Sequence, residues 1–170
     1  MDITYRPIGH FQTPHKHIKG MPIQPTGAQG IKGTILVLPE FREGLKDIEG
    51  FSHLIVLYHL HRSRGPELTV LPFLDQTPRG VFATRSPLRP NPLGLSVMPL
   101  CAVTAEGLVL DNVDVLDGTP VIDIKPYVPD FDSRPAARAG WLEGRSGNAA
   151  THRGDERFAA REREEGGGPR

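Results

Sequence analysis

Cysteine is nearly missing from this chain of 170 residues, with Cys101 the only one. An intramolecular disulfide is excluded, and a thiolate zinc site has almost nothing to draw on. Net charge is missing too, because 20 Lys and Arg balance 20 Asp and Glu. Bulk attraction to nucleic acid is therefore not expected, and any RNA contact must come from a local patch. No apolar run reaches the roughly 20 residues that span a bilayer. The opening Met1 to Arg6 has no basic stretch running into an apolar one, so no secretory signal is expected. A cytoplasmic protein with no membrane partner is the expectation. No glycine-rich loop of the P-loop or dinucleotide type occurs, and neither Ser52 nor Ser96 sits in a nucleophile elbow.

Proline and glycine, by contrast, are plentiful at 17 and 19, which argues for short strands and turns rather than long helices. The pattern predicts strands over 3–11, 33–38, 54–60, 68–74, 80–84 and 120–124, with a hairpin of 95–104 and 108–115 around Ala105-Glu106-Gly107. Phe41, Leu45 and Ile48 sit at helical spacing, so a short amphipathic helix is expected over 40–50. The run Leu54 to Leu60 reads as a buried central strand, and Cys101 reads as core. The long loop 13–30 has the character of a binding loop. Many short strands make the expected fold mostly β, a single barrel or sandwich. From Glu143 to Arg170 the chain is rich in Gly, Arg, Glu and Ala, with Phe158 its one aromatic residue. A mobile tail is expected there, with Asp155 to Glu165 able to form a charged helix.

Two segments carry the densest chemistry. In Gly80 to Ser96, Pro87, Pro90 and Pro92 forbid a regular strand or helix, leaving a stiff loop. Arg79, Arg85 and Arg89 give that loop a local positive charge, suited to a carboxylate or phosphate. In Asp114 to Tyr127, Asp117-Gly118 marks a turn, and Asp123 and Lys125 share one face of a strand. Those two are explained by pairing with each other, by Asp123 pairing with Arg85 or Arg89, or by a polar pocket for a ligand with amine and carboxylate ends. A third pattern points elsewhere. His53, His59 and His61 share parity, and His59-Leu60-His61 can present two imidazoles to a metal. With Glu67, His53 or Asp75 as third ligand, the alternative is a metal-dependent β-barrel enzyme.

The segments Phe51 to Leu54, Gly80 to Ser96 and Leu116 to Tyr127 strongly resemble the TsaA/TrmO family. Pro7-Ile8-Gly9 and Arg138 to Leu142 match it as well, so the resemblance covers about residues 3–142. It implies a β-barrel domain over 1–142 with one or two short helices; the flexible charged tail expected over 143–170 departs from the family's pattern. It implies S-adenosylmethionine as cofactor, a homodimer with the cofactor near the subunit interface, and the tRNA anticodon loop as partner. The implied activity is N6-methylation of N6-threonylcarbamoyladenosine; the alternative within the resemblance is a cofactor-binding protein or methyltransferase with a non-tRNA substrate. The implied cofactor contacts are Ile23, Gln24 and Pro25; His61 and Arg62; Arg85, Arg89 and Leu95; and Leu116, Asp117, Gly118 and Thr119. Because the target nitrogen is a poor nucleophile, a proton acceptor is useful, and Asp123, Lys125 and Tyr127 are the catalytic candidates. Longer bacterial relatives in the family carry an extra C-terminal domain where this sequence has its charged tail.

Overall fold

The computed structural model describes residues 2–155 and 157–158. Eight strands are found among them: β1 (Gly9–Gln12), β2 (Gly33–Val37), β3 (His53–His59), β4 (Thr69–Val70), β5 (Arg79–Gly80), β6 (Leu93–Val103), β7 (Gly107–Leu110) and β8 (Pro120–Pro126). Six of them close an antiparallel barrel in the order β1-β2-β7-β6-β3-β8, and β4 pairs with β5 outside it. Closure comes from Gly9, which pairs with Val37 on one side and with Val121 on the other. Closing the sheet leaves no unpaired edge along the barrel wall. The mostly-β expectation and the barrel are therefore borne out.

Alternation along β3 shows why the barrel holds. Leu54, Val56 and Tyr58 point inward and are buried, while Ile55 and Leu57 are half-buried on the outer face. Inside, they meet Phe11, Ile35, Met98, Leu108, Leu110 and Val121. Each fully buried side chain of this size contributes about 1.5–3 kcal/mol. The expected central strand is central in fact, lying between β6 and β8.

Several local expectations differ. The segment Pro39–Leu45 is a 3-10 helix rather than an amphipathic α-helix, and the one α-helix described is the single turn α1 (Pro129–Asp132). Pro39 starts the 3-10 segment Pro39–Leu45 and Asp47, at φ 65, breaks its continuation. The expected strands over 68–74 and 80–84 shrink to β4 and β5, and Val81–Ala83 turns into a 3-10 helix. Cys101 is exposed, not core. The pairing of β6 with β7 shifts between Leu100 and Ala102, so Cys101 sits in a bulge on the outer side.

The expected tail boundary falls among ordered turns. Gly140–Leu142 and Ser146–Ala150 are 3-10 helices, and Arg153 bridges to Pro22 of the first loop. Phe158 is buried with Val70, Val81 and Leu88, its ring 4.9 Å from that of Phe73. One aromatic residue thus finds a second small core that the sequence pattern did not reveal. Most of the expected charged helix from Asp155 to Glu165 lies outside the described residues.

Candidate functional site

A cavity of about 770 Å³ opens where the C-terminal end of β3, the start of β6 and three loops meet. That is within the usual size of a small-molecule site. The closed barrel forms its floor, with Tyr58 reaching from β3 and Ser96 from β6. Beyond β3 the chain turns out, and Leu60, His61 and Arg62 form one wall.

The proline-locked loop forms the next wall. Arg85 and Arg89 both line the cavity, but they are held differently. Arg89 donates from Nη1 to the carbonyls of Val81, at 3.2 Å, and Thr84, at 2.8 Å, so it ties the loop to itself. Arg85 donates from Nη1 to Gln24 Oε1 at 2.8 Å, linking this loop to the first one. Arg79, the third cation of the segment, is spent elsewhere: it pairs with Asp75 at 2.7 Å and stacks near Trp141.

The expected cofactor contacts divide cleanly. Ile23 and Gln24, His61 and Arg62, Arg85 and Arg89 all face the cavity. Leu95, Leu116 and Thr119 face it as well. Pro25 does not line it, and neither do Asp117 and Gly118, which line a smaller hollow beside His10 and Phe11. Asp117 acts as a brace. It accepts from the Thr13 amide at 2.9 Å and pairs with Lys16 at 2.6 Å, and the Lys16 hydrogen bond holds its carboxyl below the usual range. Gly118 takes the left-handed φ of 74 that the turn after Asp117 requires.

The catalytic candidates lie elsewhere. Asp123 and Lys125 pair with each other at 2.6 Å, and Tyr127 sits edge-on near His53. In β8 they fall beyond the cavity lining. Their register explains it: Asp123 is opposite Leu57 and Lys125 opposite Ile55, both outward positions of β3.

Sequence reading passed over two features of the cavity. Tyr58, Ser96 and Asp114 form a hydrogen-bonded row along its floor, with Tyr58 Oη 2.9 Å from Ser96 Oγ and Ser96 Oγ donating to Asp114 Oδ1 at 3.0 Å. Burial pushes the Asp114 carboxyl up to about 6, against the lowering by Ser96 and Arg85. Burial, and then the charge of Asp114, raise the Tyr58 phenol beyond its ordinary value, so it stays protonated. Burial and the neighbouring Arg62 lower His61, which keeps that imidazole neutral near pH 7. The last feature is the C-terminal wall: Trp141, Ser146, Ala149, Asp155 and Phe158 line the cavity. Trp141 is fixed there by donating from Nε1 to the Ala83 carbonyl at 2.7 Å. Only the alternation of polar groups along strands hinted at the row, and nothing in the composition of the C-terminal segment hinted at the wall.

For the metal alternative, His59 lies on the outer face of β3 while His61 faces the cavity. Among the described residues, no three His, Cys, Asp or Glu side chains are grouped to hold a metal ion.

Three comparisons bear on this geometry. The family model described as the tRNA-methyltransferase O N-terminal domain matches residues 10–133. A "probable S-adenosyl-L-methionine-binding protein" of Pyrococcus abyssi is 51% identical over 156 residues, covering 92% of this chain and 85% of that protein. The tRNA (adenine(37)-N6)-methyltransferase of Escherichia coli is 35% identical over 149 residues, covering 82% of this chain and 63% of the relative. Among solved structures, TrmO from Pseudomonas aeruginosa superposes with a TM-score of 0.70 at 38% identity, covering 83% of this chain and 63% of that one. The chain thus spans less than two thirds of the length of these last two proteins.

Proposed function

This chain belongs to the tRNA-methyltransferase O N-terminal domain family, and from that premise we propose that it is an S-adenosylmethionine-dependent methyltransferase of tRNA. One observation carries the reading. Arg85 and Arg89 of the stiff loop and Leu116 and Thr119, which flank the Asp117-Gly118 turn, line the same cavity although far apart in sequence.

The chemistry of the walls suits the cofactor. Arg85 offers a planar cation to the methionine carboxylate, and Arg62 stands on the neighbouring wall. Ile23, Leu95 and Leu116 supply apolar surface for an adenine ring, with neutral His61 and Thr119 as hydrogen-bonding groups beside it. The sulfonium supplies an activated methyl group, so the residues around it need mainly to align acceptor and donor and to exclude water.

The acceptor we assign is the exocyclic nitrogen of an adenosine beside the tRNA anticodon, in its N6-threonylcarbamoyl form. Its base must be presented unstacked, and exposed Phe82, with the Arg89 guanidinium 5.7 Å from its ring centre, provides aromatic and arginine planes near the loop. The protein is assigned to the cytoplasm, where that substrate occurs; among the described residues no helix is long and apolar enough to cross a membrane.

A homodimer belongs to the same proposal. Leu93, Leu95 and Val103 of β6 are exposed at 38%, 53% and 39%, and Phe51 at 38%, giving the barrel an apolar outer stripe. Leu95 lies on that stripe and lines the cavity, so a partner docked there would complete the site's rim. Asp123, Lys125 and Tyr127, on the outer face, reach a cavity only from such a partner or through bound tRNA, and we propose them as groups that contact the acceptor from there rather than as its proton acceptor.

The test has two parts. Titration calorimetry with S-adenosylmethionine is expected to show binding, and mass spectrometry of nucleosides from incubated tRNA is expected to show a methylated threonylcarbamoyl adenosine. Binding without tRNA methylation would move the assignment to a non-tRNA substrate; absence of binding would end it.

A further inference from the structure

We propose that Asp114, oriented by Ser96 and Tyr58, is the group that accepts the proton released when the acceptor nitrogen is methylated. The proposal rests on the methyltransferase reading above and adds the residue that completes its chemistry.

The methyl transfer has a fixed balance. A nitrogen–carbon bond forms, the carbon–sulfur bond breaks with its electron pair left on sulfur, and the nitrogen–hydrogen pair stays on nitrogen. A proton must therefore leave. If a carboxylate takes it, a sulfonium, a carboxylate and a neutral N–H group become a thioether, a carboxylic acid and a neutral N-methyl group, a loss of one charge pair that is favoured in a cavity sheltered from water. A urea-like nitrogen does not release its proton without such a partner.

Two acids line the cavity, Asp114 and Asp155. Asp155 is held by Arg157 at 2.7 Å, and that hydrogen bond keeps it below the usual carboxylate range. Asp114 has no such cation; among the described residues no Lys or Arg pairs with it. Its neighbour is the hydroxyl of Ser96, which donates to Oδ1. Ser96 has one proton to donate, so the Tyr58 hydroxyl completes the row by donating to Ser96. This fixes the carboxyl in place without neutralising it.

Three elements present groups to Asp114: β3 gives Tyr58, β6 gives Ser96, and the proline-rich loop gives Arg85. Burial and the charge of Asp114 keep Tyr58 protonated through the neutral range. Asp114 is the one group of the set that changes charge near pH 6. It is then ionised at pH 7 and still basic enough to take a proton.

The experiment is a pH series of single-turnover methyl transfer to tRNA, with cofactor affinity measured by calorimetry on the same samples. The wild-type rate is expected to rise tenfold per pH unit below about 6 and to level above it. Asp114→Asn, nearly the same size, is expected to lose about 10²–10⁴-fold in rate and to lose the break at pH 6, with cofactor affinity kept within a few-fold. Ser96→Ala removes a donor to the ionised carboxyl and is expected to move the break to higher pH. ¹³C NMR of the Asp114 carboxyl, without cofactor or tRNA, is expected to titrate at the same pH as the wild-type break and to shift upward in Ser96→Ala. A near-normal rate in Asp114→Asn overturns the proposal and leaves the methyltransferase reading standing. So does a large loss of cofactor affinity with the rate at saturation preserved, which would make Asp114 a cofactor ligand. A wild type that binds cofactor but never methylates tRNA overturns both.

Discussion

Gly94 and Tyr58 stand opposite each other across β6 and β3, and the tyrosine ring fills the place where a side chain on Gly94 would be. A Cβ there would lie 2.7 Å from Tyr58 Cδ2 and closer still to two other ring atoms. The ring has its face on the barrel core, meeting Phe11 edge-on at 5.8 Å, and its hydroxyl on the cavity floor beside Ser96. It therefore has little freedom to move aside.

Gly94→Ala is expected to destabilise the protein by about 1–3 kcal/mol or more, the usual cost of overpacking. Thermal melting measures it. The same substitution in a Tyr58→Leu background is expected to cost less, because the clash is with the ring. Equal losses in the two backgrounds would locate the strain elsewhere.

Arg85 and Arg89 are expected to separate under mutation. Arg89→Ala breaks two charge-assisted bonds to loop carbonyls and is expected to cost about 1–3 kcal/mol of stability. Arg85→Ala is expected to leave the melting temperature within a degree or two and to weaken S-adenosylmethionine binding roughly tenfold or more, since its one bond, to Gln24, spans exposed loops. Calorimetry and melting on the same two variants decide the matter.

Ending the chain at Leu142 removes Ser146, Ala149, Asp155 and Phe158 from the cavity wall and Arg145 from Asp75. The barrel is expected to survive, because its six strands lie within 9–126. Cofactor affinity is expected to fall by about tenfold or more, since one side of the site opens to water. Undiminished affinity in the truncated protein would show that the wall is incidental.

Two carboxylates set opposite pH dependences. Asp75 is hydrogen-bonded by Arg79, with further bonds from the Gln76 and Thr77 amides and from Arg145, and lies at about 2. Its contribution to stability is fully present above the ordinary carboxylate value and is lost as pH falls toward 2. Asp114, raised to about 6, acts in reverse. Between about 4 and 6 the folded state keeps a proton that the unfolded state has released, so stability falls as pH rises through that window. Asp114→Asn is expected to match wild-type melting near pH 4 and to exceed it by several degrees at pH 7. A constant offset across the series would refute the assignment.

Much of the barrel could be read from residue order. The nearly continuous apolar run Leu54 to Leu60 identified a central strand, and the turn at Ala105 to Gly107 identified the β6–β7 hairpin. The site was legible where stiffness and charge coincide, as in the arginine loop. It was obscure where function depends on which way a strand faces. Asp123 and Lys125 could be read as a mutual pair or as pocket residues, and the pairing of β8 with β3 turns them outward into the ion pair. Asp114, in the same segment, looked no different from them and lines the cavity.

Sequence alone determined the short strands, the rigid cationic loop, the Asp-Gly turn and the lack of disulfides, because these follow from local backbone limits and from which side chains exist. The tertiary structure decided which acid lies on the cavity floor, which arginine is left to meet a ligand, and that Ser146, Ala149, Asp155 and Phe158 help to wall the site. Those outcomes depend on strand register and on long-range packing, such as Phe158 against Phe73, and neither is encoded in any single stretch of the chain.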